Sequence, residues 1–64
     1  MNMKVYIVSN DTKFLVRNDI VPGVGDRVRW LDWSNDGAER EGIVRLRKFD
    51  YTDACVYLYV DEET

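Results

Sequence analysis

Arginine and tyrosine side chains recur at every second position in three stretches of the second half of the chain. They are Arg27, Arg29, Arg45, Arg47, Tyr57 and Tyr59. Residues two apart in a strand point to the same face, so neighbouring strands would gather these groups on one outer surface. Guanidinium and phenol groups stack on nucleic-acid bases and are frequent in protein–protein interfaces. The pattern favours a binding surface; the structural alternative is a solvated face in which arginine stems cover cross-strand tyrosines.

The two tryptophans are expected to lie in different environments. Trp30 shares the parity of Val28 and is predicted to lie in the core. Trp33 stands at the end of the same stretch, beside a polar turn, and would anchor a partner if it is exposed. Leu31 shares the parity of Trp33, which breaks the alternation and suggests a bulge or bend near this residue.

Residue types suited to catalysis or metal binding are sparse. The chain has no histidine and one cysteine, which rules out zinc fingers, catalytic triads and an internal disulfide. Cys55 lies in an apolar run and is expected to be a buried small hydrophobic residue. The carboxylates of Asp50, Asp53 and residues 61–63 fall in a predicted turn and tail, where acidic side chains are ordinary. Residues 23–25 lead into a strand, so their glycines form no phosphate loop, and we expect no enzyme activity, metal site or cofactor.

Size and charge narrow the class of protein further. Sixty-four residues with a net charge of −3 suffice for one domain, residues 1–64, with a thin core. The acidic balance argues against a general nucleic-acid binder, which is usually basic. No stretch reaches the roughly 20 apolar residues of a membrane span, and the first residues lack the apolar region of a signal peptide. Together with the single thiol, these features predict a cytoplasmic protein without membrane contact.

Apolar–polar alternation and frequent β-branched and aromatic residues predict strands through most of the chain. The predicted strands are Met3–Ser9, Lys13–Arg17, Arg27–Trp33, Arg40–Phe49 and Cys55–Asp61. Residues 10–12, 20–26, 34–37 and 50–53 carry residues typical of turns, among them asparagine, aspartate, glycine and the only proline. Five short strands cannot bury one face of a flat sheet, so we expect an all-β fold that curls into a five-stranded antiparallel barrel.

The same alternation divides each predicted strand between core and surface. The inward positions are Val28, Trp30, Val44, Leu46, Val56, Leu58 and Val60. The first strand differs, because Tyr6 and Val8 oppose Val5 and Ile7 and make both of its faces partly apolar. Either a second layer or another subunit is expected to cover it.

Residues 22–61 carry an order of motifs that resembles SH3-like barrel modules of the KOW and Tudor types. The matching positions are Gly25-Asp26 before Val28 and Trp30, the Asp36-Gly37 loop, Gly42-Ile43-Val44, and the alternating Val56, Leu58 and Val60. The resemblance implies an SH3-like barrel and says little about activity, since these positions determine the fold. An OB-like barrel usually needs more residues and a helix for which residues 34–39 are too few.

The resemblance does not extend to the ligand-binding positions of either type. KOW modules that touch RNA tend to carry lysines and glycines in a loop that is acidic here and repels phosphate. Trp33 is similar to an aromatic of Tudor methyl-lysine cages, but Arg40 and Glu62 stand where further cage aromatics are needed.

The function expected from the sequence is therefore a non-catalytic interaction module. Its predicted binding residues are Arg27, Arg29, Trp33, Arg45, Arg47, Tyr57 and Tyr59. A protein partner or a second copy of the chain is the first hypothesis. Weak RNA or DNA binding through the same face is the alternative, which the net charge disfavours. A third hypothesis is mimicry of nucleic acid by the acidic loops.

Overall fold

Five strands and one short 3-10 turn form the computed structural model, which describes residues 3–16 and 21–63. In chain order the strands are β1 (Lys4–Ser9), β2 (Thr12–Val16), β3 (Arg27–Asp32), β4 (Ala38–Asp50) and β5 (Cys55–Glu62), and the turn is Trp33–Asn35. Each predicted strand is confirmed with slightly shifted ends. Arg17, the predicted end of the second strand, lies outside the described residues.

The strands form one curled sheet, a half-barrel, in the order β2-β1-β5-β4-β3. The β1–β2, β3–β4 and β4–β5 pairs are antiparallel, but β1 runs parallel to β5. The prediction of a purely antiparallel sheet is therefore wrong. In the parallel pair, Val5 lies opposite Val56 and Ile7 lies opposite Leu58. The buried side chains of the two strands therefore lie side by side in the core. Burial of these side chains stabilises the β1–β5 pair.

Turn chemistry follows the sequence closely. Asn10 and Asp11 both have positive φ, 49° and 63°, and connect β1 to β2 in a two-residue hairpin turn, as expected. Asp36 and Gly37, with φ of 54° and 73°, reverse the chain between β3 and β4. The predicted turns at these two places are thus confirmed. Asparagine, aspartate and glycine are the residues that adopt this left-handed backbone at the least cost.

The concave inner face of the sheet is the core. Its buried apolar members are Val5, Ile7, Trp30, Val44, Val56, Leu58 and Val60. Trp30 is 4% exposed, which confirms its predicted core position. Its ring lies 5.8 Å, centroid to centroid, from that of Phe14 and so joins the two edge strands, β3 and β2, across the inside of the half-barrel.

A bulge at Arg45 changes which residues of β4 face the core. Val44 lies opposite Val60 and Leu46 opposite Tyr59, so Arg45 is an extra residue in the ladder. Leu46 is 51% exposed, and its predicted inward position is wrong. The bulge suggested near Leu31 is absent from the described pairing, since β3 stays in continuous register with β4 from Arg27 to Asp32.

Candidate binding surface

Two of the four arginines of the predicted surface, Arg27 and Arg45, form ion pairs with acidic neighbours. Arg27 forms ion pairs with Glu41 and Glu63 at nitrogen–oxygen distances of 3.7 and 3.1 Å. The Arg45 Nε donates to Asp61 Oδ1 over 3.1 Å. Arg29 is exposed and forms no ion pair with a described residue. These exposed pairs each contribute little to stability, and they leave little net positive charge on the β3–β4 half of the outer face.

Arg47 does not share a face with the other predicted residues. Beyond the bulge it lies opposite Leu58, whose side chain points into the core, so its own side chain belongs to the inner side of the sheet. Its guanidinium carbon lies 5.4 Å from the centre of the Phe49 ring, which in turn stacks on Tyr51. The expectation of four arginines and two tyrosines on one face is therefore wrong, and the Arg45 bulge is the reason.

The bulge brings different residues beside Tyr57 and Tyr59. Two rows cross the outer face of β2, β1, β5 and β4, each contributed by cross-strand neighbours. One row is Leu15, Tyr6, Tyr57 and Lys48, and the next is Lys13, Val8, Tyr59 and Leu46. We call the six uncharged members, Tyr6, Val8, Leu15, Leu46, Tyr57 and Tyr59, the tyrosine patch.

The tyrosine patch has an ordered centre and an exposed margin. The rings of Tyr6 and Tyr57 stack with centroids 5.5 Å apart and an angle of 19° between their planes. The Lys13 ammonium lies 5.7 Å from the centre of the Tyr57 ring. Leu15 is 62% exposed, and the tyrosines and Val8 are half-buried. Mutual stacking holds the rings in place before any partner arrives, which lowers the entropy lost on binding.

Tyr57 stays protonated over the physiological range. The neighbouring Cys55 thiol, partial burial and the carboxylates of Asp50 and Asp53 raise the pKa of Tyr57 to about 12. Cys55 itself is 2% exposed, as the sequence predicted for a small buried residue. The patch therefore presents a neutral phenol that can donate a hydrogen bond to a partner.

A second arrangement of charged side chains, here called the polar cluster, lies where β1, β3, β4 and β5 meet. Arg40 donates from Nε to Asp32 Oδ2 over 2.9 Å and from Nη1 to Glu62 Oε1 over 3.0 Å. The Ser9 hydroxyl donates to Glu62, and the Ser34 backbone N–H donates to Asp32. Arg40 and Glu62, the two residues that the sequence resemblance compared with cage aromatics, thus form an ion pair with each other.

Hydrogen bonds hold both carboxylates of the polar cluster in their charged form. The Ser34 hydroxyl and then the Arg40 guanidinium lower the pKa of Asp32, and the Ser9 hydroxyl and then Arg40 lower the pKa of Glu62. Glu62 and Asp32 in turn raise the pKa of Arg40. Since these groups satisfy one another, the polar cluster is suited to joining strands rather than to proton transfer.

Trp33, the predicted aromatic anchor, lies outside the strands. It is 77% exposed in the turn after β3, and its ring covers Gly37, where a Cβ atom would lie 2.9 Å from Trp33 Cζ3. β3 is not one of the four strands that form the tyrosine patch, and Trp33 is not a member of it. The positive φ of Gly37 favours glycine at this position, and the exposed Trp33 ring would have to shift to accommodate a Cβ atom.

Sequence reasoning missed most of the patch. The sequence predicts Tyr57 and Tyr59 as binding residues and indicates, at Tyr6 and Val8, an apolar side of the first strand that a second layer or another subunit would cover. Leu15, Leu46 and the two flanking lysines were not identified. The doubly apolar β1 was the available signal, but only the parallel β1–β5 pairing brings it beside the tyrosines.

The fold and this surface define a small all-β protein, a curled half-barrel with an exposed aromatic and aliphatic patch on its outer face. Comparisons with protein-family models, curated proteins and solved structures each find no match to the chain. Within residues 3–16 and 21–63, no helix is long and apolar enough to cross a membrane.

Proposed function

We propose that this chain is a non-catalytic interaction module that binds another protein through the outer face of its sheet, with the tyrosine patch at the centre of the contact. The observation that supports this function is the exposure of Leu15 and Leu46, 62% and 51%, beside three half-buried tyrosines. Apolar surface of this kind gains free energy when a partner removes it from water. Tyrosine adds a large rigid contact area and a hydroxyl for orientation, which is why it is frequent at binding hot spots.

The proposal gives the predicted binding residues unequal roles. Tyr57 and Tyr59 lie in the centre of the patch, and Arg45 lies at its rim beside Leu46, already paired with Asp61. Arg27, Arg29, Arg47 and Trp33 belong to other parts of the surface and are assigned no part in this contact. Rim charges paired within the protein affect the rate of encounter more than the affinity.

The proposal also extends to fold family and location. An SH3-like relationship is supported by the antiparallel meander β3–β4–β5, by the positive φ of 93° at Gly25 before β3, and by the close approach of Gly42 to β5. The parallel β1 departs from that pattern. Cys55, the single thiol, is free and buried, which supports a reducing, cytoplasmic location.

Weak binding of single-stranded RNA or DNA is the second candidate function. The observation in its favour is that Lys13 and Lys48 lie on the same face as Tyr6, Tyr57 and Tyr59, as in surfaces that combine stacking with phosphate contacts. A net charge of −3 opposes it. Fluorescence anisotropy with single-stranded oligonucleotides at low salt tests this candidate; no change at about 100 µM protein eliminates it.

Matched leucine substitutions test the protein-binding function. Leu46→Asp places a charge inside the patch, whereas Leu31→Asp places the same charge on the outer face of β3, where Leu31 is 44% exposed. Tagged versions of both variants and of the original chain are used to recover partners from lysate of the source cells, and sedimentation of the purified chain measures self-association. We expect Leu46→Asp to lose the partner and Leu31→Asp to keep it, since a carboxylate in an apolar contact costs about 2 kcal/mol or more.

The result that would overturn the function is equal recovery with all three proteins. Loss of recovery with Leu31→Asp alone would move the binding surface to β3 and Trp33. If sedimentation shows that the original chain self-associates and Leu46→Asp does not, the partner is a second copy.

A further inference from the structure

Lysines frame the tyrosine patch of an otherwise acidic chain. Lys13 and Lys48 end its two rows at opposite corners, and Lys4 lies two residues before Tyr6 on the same face of β1. None of the three forms an ion pair with a described residue, whereas Arg27, Arg40 and Arg45 each do. A hydrogen bond from the Thr52 side chain and, to a smaller extent, the positive charge of Lys48 lower the pKa of Asp50, whose carboxylate also accepts a hydrogen bond from the Thr52 backbone N–H. Three lysines that form no ion pair with a described residue therefore border the patch, and the carboxylates of Asp50 and Asp53 lie near its Tyr57 side.

The dimensions of the patch limit what can cover it. Three strand spacings of about 4.8 Å give it a length of roughly 14 Å, and two rows of residues give a width of about 7 Å between Cα positions. A stable pair of proteins usually buries about 800 Å² on each partner, more than this strip offers. A second copy docked face to face would also bring the lysines of both copies into one interface. The strip instead matches one α-helix, which is about 10 Å wide and covers 14 Å in about nine residues.

The backbone of the patch also favours a helix over an extended peptide. β1 and β5, the inner two of the four strands that form the patch, are hydrogen-bonded to neighbours on both sides. They have no free ladder positions for an added strand, so a segment lying across them must satisfy its own backbone hydrogen bonds. An α-helix does so internally and can present an apolar stripe to the tyrosines.

We propose that the tyrosine patch is a docking site for an amphipathic α-helix of a partner protein, whose apolar stripe is flanked by aspartate or glutamate side chains that meet Lys4, Lys13 and Lys48. This inference rests on the proposed function and specifies the chemistry of the partner. The leucines and tyrosines pack against the apolar stripe of the helix. The lysines attract acidic flanking residues and repel basic ones. Opposite charges at the rim also accelerate association at low salt.

Four synthetic peptides of about 15 residues, or four helical turns, serve as probes. Three share a leucine stripe at i, i+3, i+4 and i+7 and differ only in flanking residues, which are all glutamate, all glutamine or all lysine. The fourth has the composition of the glutamate peptide in scrambled order. Each is titrated into the ¹⁵N-labelled full chain and followed by two-dimensional NMR, with a parallel titration of single-stranded oligonucleotide.

We expect the glutamate peptide to bind about tenfold more tightly than the lysine peptide, a difference of about 1.4 kcal/mol, since two or three opposite-charge contacts at the rim replace like-charge ones. The largest shift changes should fall on Tyr6, Tyr57 and Tyr59. The double variant Lys13→Glu, Lys48→Glu should reverse the preference. Arg29→Glu, an exposed arginine on β3 outside the patch, is the control and should leave the preference unchanged.

The outcomes that would contradict an acidic helix as partner differ from those that would contradict the proposed binding function. If all striped peptides bind the patch equally, or if Arg29→Glu alters the preference as much as the lysine variant, the acidic partner is wrong and the binding surface remains. If the oligonucleotide perturbs the patch at lower concentration than any peptide, nucleic acid replaces the helix as ligand. If no probe perturbs the patch, both the inference and the patch-centred function fail.

Discussion

The polar cluster and the tyrosine patch differ in whether their charged side chains are paired within the protein. Both include residues of β1 and β5. In the polar cluster, Arg40 lies between Asp32 and Glu62, so each charge is satisfied inside the protein. At the tyrosine patch, Lys13 and Lys48 border an apolar surface and form no ion pair with a described residue. Charges that satisfy one another hold strands together, whereas unpaired charges beside exposed apolar side chains remain available to a partner. The same sheet thus carries a charge network that joins its strands and a separate surface that we propose for binding.

The close approach of β4 and β5 beside the polar cluster should be the most sensitive feature. A Cβ atom on Gly42 would lie 2.6 Å from the backbone oxygen of Asp61, and that backbone cannot move without disturbing the ladder that carries Glu62. We expect Gly42→Ala to lower the free energy of unfolding by about 3 kcal/mol, at the upper end for overpacking. Denaturation by urea measures this change. A loss below about 1 kcal/mol would contradict the rigid placement of the two strands.

Acid should weaken the polar cluster next. The folded-state pKa values of Asp32 and Glu62 lie below their ordinary values of 3.8 and 4.5. Their contribution to stability is therefore present above the unfolded-state pKa and is lost as pH falls through the folded-state values, from about pH 4.5 downward. Arg40→Gln removes one cause of both shifts and should lower stability at neutral pH while making its loss below pH 4.5 shallower.

Thermal unfolding between pH 2 and 7 measures this dependence. Arg27→Gln is the matched control, because it removes an exposed arginine that also pairs with two carboxylates but lies outside the polar cluster. An acid profile of Arg40→Gln identical to that of Arg27→Gln would show that Arg40 does not connect the strands as the geometry indicates.

Substitutions in the tyrosine patch should have the smallest effect on the fold. Leu15 and Leu46 are more than half exposed, so Leu15→Lys and Leu46→Lys should each change the free energy of unfolding by no more than about 0.5 kcal/mol. Urea denaturation checks the stability, and binding of the glutamate-flanked peptide is measured in parallel. Loss of 2 kcal/mol or more in either variant would mean that the patch belongs to the core of the fold.

The sequence predicted local structure better than long-range pairing. The strands, the turns at Asn10-Asp11 and Asp36-Gly37, and the core position of Trp30 follow from periodicity and backbone preference, which neighbouring residues determine. The parallel β1–β5 pair joins residues about fifty positions apart, and several registers would bury a valine row equally well. Sequence alternation alone does not choose among them.

The candidate site was predicted only in part for the same reason. Tyr57 and Tyr59 have the parity expected for them, but a bulge adds one residue without any distinctive sequence signal at Arg45. That one residue moves Leu46 into the patch and Arg47 out of it. The ion pair between Arg40 and Glu62 could not be predicted either, because the two residues lie 22 positions apart in the sequence. Alternation along a strand predicts which face a side chain occupies only up to the next bulge or other irregularity.

The bulge at Arg45 makes this position unusual with respect to insertions and deletions. Elsewhere in β4, loss of one codon would exchange the two faces of all the following residues and place charged side chains in the core. At Arg45 the extra residue is already absorbed by the ladder, so its removal would straighten β4 and leave Leu46 opposite Tyr59 and Phe49 opposite Val56. The chain can therefore change its length at Arg45 while both its core and its binding surface keep their composition.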